Sequence, residues 1–267
     1  MEPVYHIFVG YEPIEDAAYK TCVHSILKHA TVPVKIHKLD THELRKSGLF
    51  TREWLTKANG QMVCQVDGRP FSTSFSHTRF LVPTLWHQQP EPKSPLVLFV
   101  DCDFVFTADI REMFEDIERQ KTRLSGKPPV YCVQHDYQPV ETSKMHGVEQ
   151  SKYNMKLWTS LMVFDMDHVD NQELTADVVN TEDGRKLHQF CWLKDVHQIG
   201  KISESWNFIP NHSEKNVDTV KAIHWTSGGS WFSHMRSCRY AELWNKYFDD
   251  FLSSTVVKSV VDRERFL

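Results

Sequence analysis

The chain has 267 residues, of which 40% are hydrophobic and 25% charged, enough to bury a large core in one or two domains. A formal net charge of -4 excludes the basic footprint of a nucleic-acid or anionic-lipid binder. The opening "MEPVYHIFVGYEP" has no basic segment ahead of a long apolar one, so no signal peptide is expected, and the apolar runs are too short to span a bilayer.

Six scattered cysteines without a C-x-x-C pair suggest reduced thiols in a cytoplasmic setting. Residues 4–11, "VYHIFVGY", alternate as a strand. Residues 14–30 then place Ala17, Ala18, Cys22, Ile26 and Leu27 at helical spacing, and 32–39, "VPVKIHKL", alternate again. Such a βαβ opening favours a right-handed crossover and a parallel sheet, hence the α/β class. Residues 74–88 read as a helix interrupted near Pro83, and 95–100, "PLVLFV", as a strand covered on both faces. An amphipathic helix over 110–121, strands over 129–135, 160–166 and 221–226, and a helical tail from about Arg239 complete the pattern. The polar stretch 135–154 interrupts it, and long loops inside compact folds tend to be functional.

"LVLFVDCDFVF", residues 96–106, sets two carboxylates into an otherwise apolar run. In extended backbone, positions i and i+2 face the same side, so Asp101 and Asp103 present both carboxylates to one site while Cys102 points away. Burying two carboxylates without compensation is expensive, and a divalent cation is the economical partner. The strand at 160–166 also runs into an Asp-x-Asp, at Asp165 and Asp167, but polar residues follow it; a solvated strand end or a helix cap is expected there. Among the 15 histidines, His224 stands out because it ends an apolar strand and precedes "TSGGSW", a glycine pair that lets backbone approach a ligand.

Together these features resemble the GT-A-fold, nucleotide-sugar-dependent glycosyltransferases, nearest to the family 8-like group of retaining enzymes. The likeness rests on "FVGYEP", "FSHTRFLVP", "LFVDCDFVF" and "HWTSGGSWF", in that order. It implies a single Rossmann-like domain with a mostly parallel central sheet flanked by helices. In it, 1–110 form a nucleotide-binding half, 111–235 an acceptor-binding half and 236–267 a helical tail. It implies manganese, or magnesium, held by Asp101, Asp103 and His224, with a UDP-sugar as donor and a carbohydrate or other hydroxyl as acceptor. Phe8, Val9, Gly10 and Tyr11 would meet the nucleotide, Tyr11 by stacking on uracil, with Cys102 at the same donor site. Arg79 would face the diphosphate or donor sugar. Ser160 becomes a site candidate and Asp195 the acidic candidate near the reacting carbon, with Trp206 and Asn207 close by. His135, Asp136 and Tyr137 would read the acceptor.

The sequence departs from that group in one respect. Ser230 stands where the group carries a diphosphate-binding lysine, which leaves Arg79, Lys221 or the backbone N–H groups of Gly228 and Gly229 to replace it. Retention is favoured because no carboxylate stands out as a base across the ring. Three rivals weigh less. A sugar nucleotidyltransferase would need a glycine-rich basic loop near the start, and a zinc hydrolase would need ligand spacing the histidines lack. A non-catalytic carbohydrate- or nucleotide-sugar-binding protein would use Trp86, Trp158, Trp206, Trp225 and Trp231 as stacking platforms.

Overall fold

A computed structural model describes residues 3–123, 127–136, 143, 144, 148, 149, 155–213 and 219–264. The opening unit forms as read. Strand β1 (Tyr5–Gly10) leads into helix α1 (Asp16–His29), whose Ala18, Cys22, Ser25 and Ile26 make one buried face. Strand β2 (Val34–Leu39) then pairs in parallel with β1 along its length. Helix α2 (Thr41–Lys46) is capped by the Asp40 side chain, which accepts from the His42 N–H. A small antiparallel sheet follows that the hydrophobic pattern did not announce: β3 (Trp54–Thr56), β4 (Met62–Cys64) and β5 (Pro70–Phe71).

Residues 74–88 differ from expectation. Two 3-10 turns, Ser74–Ser76 and Thr78–Leu81, precede helix α3 (Val82–His87), and Pro83 lies in its first turn. A proline there forgoes an N–H that has no helical partner anyway, so Pro83 starts the helix rather than interrupting one. Next come β6 (Leu96–Val100), β7 (Phe104–Phe106), α4 (Arg111–Arg123), β8 (Val130–Cys132) and the hairpin β9 (Ser143–Lys144) with β10 (Val148–Glu149). The chain continues through β11 (Leu161–Asp165), α5 (Ala176–Thr181), α6 (Gly184–His188), β12 (Gly200–Lys201), β13 (Ala222–His224) and α7 (Ala241–Glu264).

The central sheet has the order β12-β8-β11-β6-β1-β2. β1 is parallel to β2 and β6, β12 is parallel to β8, and β11 runs antiparallel to both its neighbours. The sheet is thus mostly parallel and continuous across residue 110. β6 is buried at every position, as a strand covered on both faces must be. At its end the chain leaves the sheet: β7 pairs with β13 in a separate antiparallel ribbon whose register sets Phe104 opposite His224. Beneath that ribbon lies a second apolar cluster, including Val105, Phe208, Ile223, Trp225, Trp244 and Tyr247. The start of α7 is therefore core and not an appended tail.

The second Asp-x-Asp is a correction. Asp165 is fully buried and paired with Lys121 at 2.9 Å, an ion pair that also lifts the lysine pKa against its desolvation. Only Asp167 is solvated, and its N–H donates to the Asp165 carboxylate. Among the described residues no helix is long and apolar enough to cross a membrane.

Candidate active site

One cleft opens beside the C-terminal end of β6, where parallel sheets place ligands. Its lining includes Glu15, Asp101, Asp103, His224 and Thr226 together with Arg79, Ser160, Lys156 and Arg185. One carboxylate oxygen from each of Asp101 and Asp103 and one nitrogen of His224 lie within 4.8 Å of one another. Three contacts build this. The Asp101 N–H donates to the Ser160 carbonyl at 2.9 Å, the Trp225 N–H to the Asp103 carbonyl at 3.0 Å, and the His224 ring stacks on Phe104 at 4.1 Å.

A buried relay orients the imidazole. The Ser160 hydroxyl donates to the Leu157 carbonyl at 2.6 Å, which can only accept. Its oxygen therefore receives Asn207 Nδ2–H at 2.9 Å, leaving Asn207 Oδ1 to accept from His224 Nδ1–H, also at 2.9 Å. His224 Nε2 is then an acceptor, and it faces Asp103 Oδ1 at 3.2 Å. Two acceptors at that separation need a cation or a proton between them. Oxygen-rich ligation with one imidazole suits manganese among the first-row ions, and the fixed tautomer is the usual second layer of such a site. His135 lies on the same network, held down to about 4 by burial and then by His224; Asp136 is exposed, and Tyr137 lies outside the described residues.

The cleft also holds Glu15, a buried carboxyl that the sequence reading missed. It is buried, accepts from Trp231 Nε1 at 3.2 Å, and is pushed up to about 8 by desolvation first and Asp103 next. Its position in "GYEPIEDAAY", just before a helix and beside Asp16, looks like an ordinary surface carboxylate. Arg79 occupies the cleft floor: it pairs with Asp101 at 3.0 Å, donates to the Thr159 carbonyl at 2.8 Å and lies over the Phe99 ring.

Several expected site residues take other places. Phe8 and Val9 are core, with Phe8 stacked on His37. Gly10 is packed so closely that a Cβ would stand 2.6 Å from the Phe75 ring. Tyr11 donates to Asp16 and carries the Lys38 ammonium 3.7 Å above its ring, so uracil could stack only on the opposite face. The Cys102 thiol turns away to Glu15. Asp195 is exposed, caps the 3-10 turn Val196–Gln198 by accepting from the His197 N–H, and does not line the cleft. Its short polar side chain is satisfied locally, as aspartate before a turn commonly is.

The lysine replacements also resolve. Lys221 is bonded to Glu112 at 2.7 Å, the Gly228 N–H is donated to the Trp225 carbonyl at 2.9 Å, and the Ser230 hydroxyl donates to Asn245. Gly228, at φ +95, serves a turn, and Gly229 is buried against Trp231. Of these candidates, Arg79 lines the cleft.

No family model matches the sequence. Over 251 residues, however, the chain is 40% identical to Protein CDI of Arabidopsis thaliana, covering 92% of this chain and 87% of that protein. The chain belongs to the CDI family. Its backbone is similar to the glycosyltransferase GlyE of Streptococcus pneumoniae TIGR4, with a TM-score of 0.55 at 15% identity over 97% of this chain. It is also similar to the bifunctional glycosyltransferase WbbM, with a TM-score of 0.53 at 12% identity over 93%. The chain spans 64% of GlyE and 50% of WbbM. At such identities the likeness is one of fold, and the fold of this CDI-family chain is the GT-A architecture of glycosyltransferases.

Proposed function

We propose that this chain is a metal-dependent, family 8-like glycosyltransferase that moves a hexose-type sugar from a UDP-sugar to a hydroxyl acceptor with retention. The observation that carries the reading is the convergence of Asp101, Asp103 and His224 at the end of β6, with the His224 Nε2 lone pair fixed by the Asn207 relay. These three side chains would hold manganese or magnesium, which when bound supplies Lewis acidity to the leaving diphosphate. The protein's own part is positioning. Ser160 and Asn207 orient the imidazole, Arg79 fixes Asp101 and offers its remaining N–H groups to the cleft, and Phe104 holds the ring plane.

Retention is supported by what the cleft carboxylates already do. Glu15 is held by Trp231, Asp67 accepts from Arg52 and the Gly184 N–H, Asp101 holds Arg79 and Asp103 faces His224. Among the described cleft residues no carboxylate stands unengaged to activate a hydroxyl across the sugar ring, so a leaving phosphate oxygen is the base that remains. The tryptophans offer little to a lectin: Trp86, Trp206 and Trp225 are buried, and the indoles of Trp158 and Trp231 donate to the His135 carbonyl and to Glu15. With the cysteine pattern, we retain a cytoplasmic location. The test is calorimetric titration of UDP with and without manganese, on the native protein and on Asp103→Ala. Binding that requires both the metal and Asp103 is expected, and UDP binding indifferent to both would remove the metal from the proposal.

A further inference from the structure

The lining of the same cleft also carries cations, beside Asp67, which accepts from Arg52 and the Gly184 N–H. Lys156, itself buried at 8% exposure, lines the cleft together with Arg185 from the first turn of α6 and Arg69 from the segment before β5. Arg69 is neutralised by Asp183 at 3.3 Å. Arg185 makes no side-chain ion pair among the described residues, and its Nε is buried without a hydrogen-bond partner. A guanidinium N–H withdrawn from water and left unpaired is costly unless a ligand completes it.

The backbone around Lys156 points the same way. Met155 and Leu157, on either side of it, both adopt left-handed conformations, φ 67 and φ 69. Two consecutive alternate residues of this type without glycine are strained, and such strain persists where surrounding structure holds a side chain in a required place. Here it is held by Trp158 N–H and Ser160 N–H, which donate to the Met155 and Leu157 carbonyls. Two histidines of the cleft are held neutral, chiefly by burial, with Lys156 a minor contributor at His188. Burial, then Arg52 and Arg79, keep His77 well below its ordinary pKa; burial, then Arg79, His77 and Lys156, do the same to His188. Both rings are neutral and add hydrogen-bonding capacity without charge.

We propose that Lys156 and Arg185 form an oxyanion site for a phosphoryl group, in the same cleft as Asp101, Asp103 and His224. The chemistry fits phosphate because a planar fork and a point-charge ammonium together satisfy several oxygens of one tetrahedral anion. The glycosyltransferase reading enters only in naming what carries the phosphate: the diphosphate of the donor or a phosphorylated acceptor.

The probe is inorganic pyrophosphate, titrated calorimetrically in the presence of a chelator so that no metal site contributes. The native protein is expected to bind it, and Lys156→Gln and Arg185→Gln each to weaken binding by roughly tenfold to a hundredfold. Lys156→Arg is expected to recover most of the loss, which a merely structural lysine would not show, and circular dichroism of each variant checks the fold. UDP and uridine then separate the two carriers. A parallel loss for UDP with uridine unchanged assigns the site to the donor; loss for pyrophosphate with UDP unchanged assigns it to the second substrate. Absent binding by the native protein, or binding unaltered in both glutamine variants, overturns the site. Because this titration excludes metal, its failure is separate from failure of the Asp103→Ala experiment.

Discussion

At the scale of single residues, Asn207 does more than its place in the sequence suggests. It is fully buried and is the only described link between the Ser160 hydroxyl and the His224 ring. Asn207→Leu keeps the volume but leaves both partners unsatisfied, so a stability loss of about 1–3 kcal/mol is expected from denaturant unfolding. Manganese affinity, read by direct titration, should fall roughly ten- to a hundredfold, as for other outer-layer partners of a metal-ligating histidine. Gly10 makes a different point. Glycine is needed there by space, because any Cβ meets the face of Phe75 at 2.6 Å. Gly10→Ala should cost about 1–3 kcal/mol of stability, the usual range for overpacking.

At the scale of elements, the β1–β2 ladder carries a titratable pair. His6 lies opposite Lys35 and His37 opposite Phe8, so the two histidines meet diagonally on one face of the ladder, stacked with centroids 4.9 Å apart and joined Nδ1 to Nε2 at 2.8 Å. Desolvation is the first cause of a lowered pKa in both; His37 is brought down to about 4, with His6 and Lys35 adding to the effect. The unfolded chain, with histidines near their ordinary value of 6.5, then binds more protons than the folded one between that value and about 4. Stability from this pair is present above the unfolded pKa and is lost as pH falls toward the folded one. Unfolding midpoints should therefore drop on acidification through this window, and His37→Gln should flatten the drop. A slope unchanged in that variant would assign acid sensitivity elsewhere. The elements themselves were mostly legible: β1, α1, β2, β6, α4 and β11 follow apolar periodicity that local sterics enforce. The β3–β5 sheet was not, since its strands are two or three residues long and carry no period.

For the whole molecule, the ribbon that delivers His224 depends on the last helix. Trp244 is 3% exposed and packs in the cluster with Val105, Ile223 and Trp225. Trp244→Ala should cost about 3–5 kcal/mol, the range for emptying a buried aromatic site. It should also weaken manganese binding at a distance from the cleft, because β13 is supported from that side. Unfolding curves and metal titration on the same preparation test both. Removing the C-terminal helix is correspondingly expected to disable the site rather than trim it.

The sequence by itself determined what is local. An apolar strand ending in Asp-x-Asp marks two carboxylates at a strand end, though they sit in the turn of residues 101–103 after β6 and not in extended backbone as expected; a βαβ opening states the class of sheet because it follows from backbone periodicity. Even the choice between Asp101/Asp103 and Asp165/Asp167 was readable in part from flanking polarity, though the burial of Asp165 against Lys121 was not. Tertiary structure alone decided partners brought from far along the chain. The β7–β13 register sets His224 beside Asp103, Arg79 meets Asp101, Asp195 is turned to solvent, and Lys156 is carried into the lining of the same cleft. Those outcomes depend on strand pairing and packing between distant segments, and no spacing within a short window encodes them.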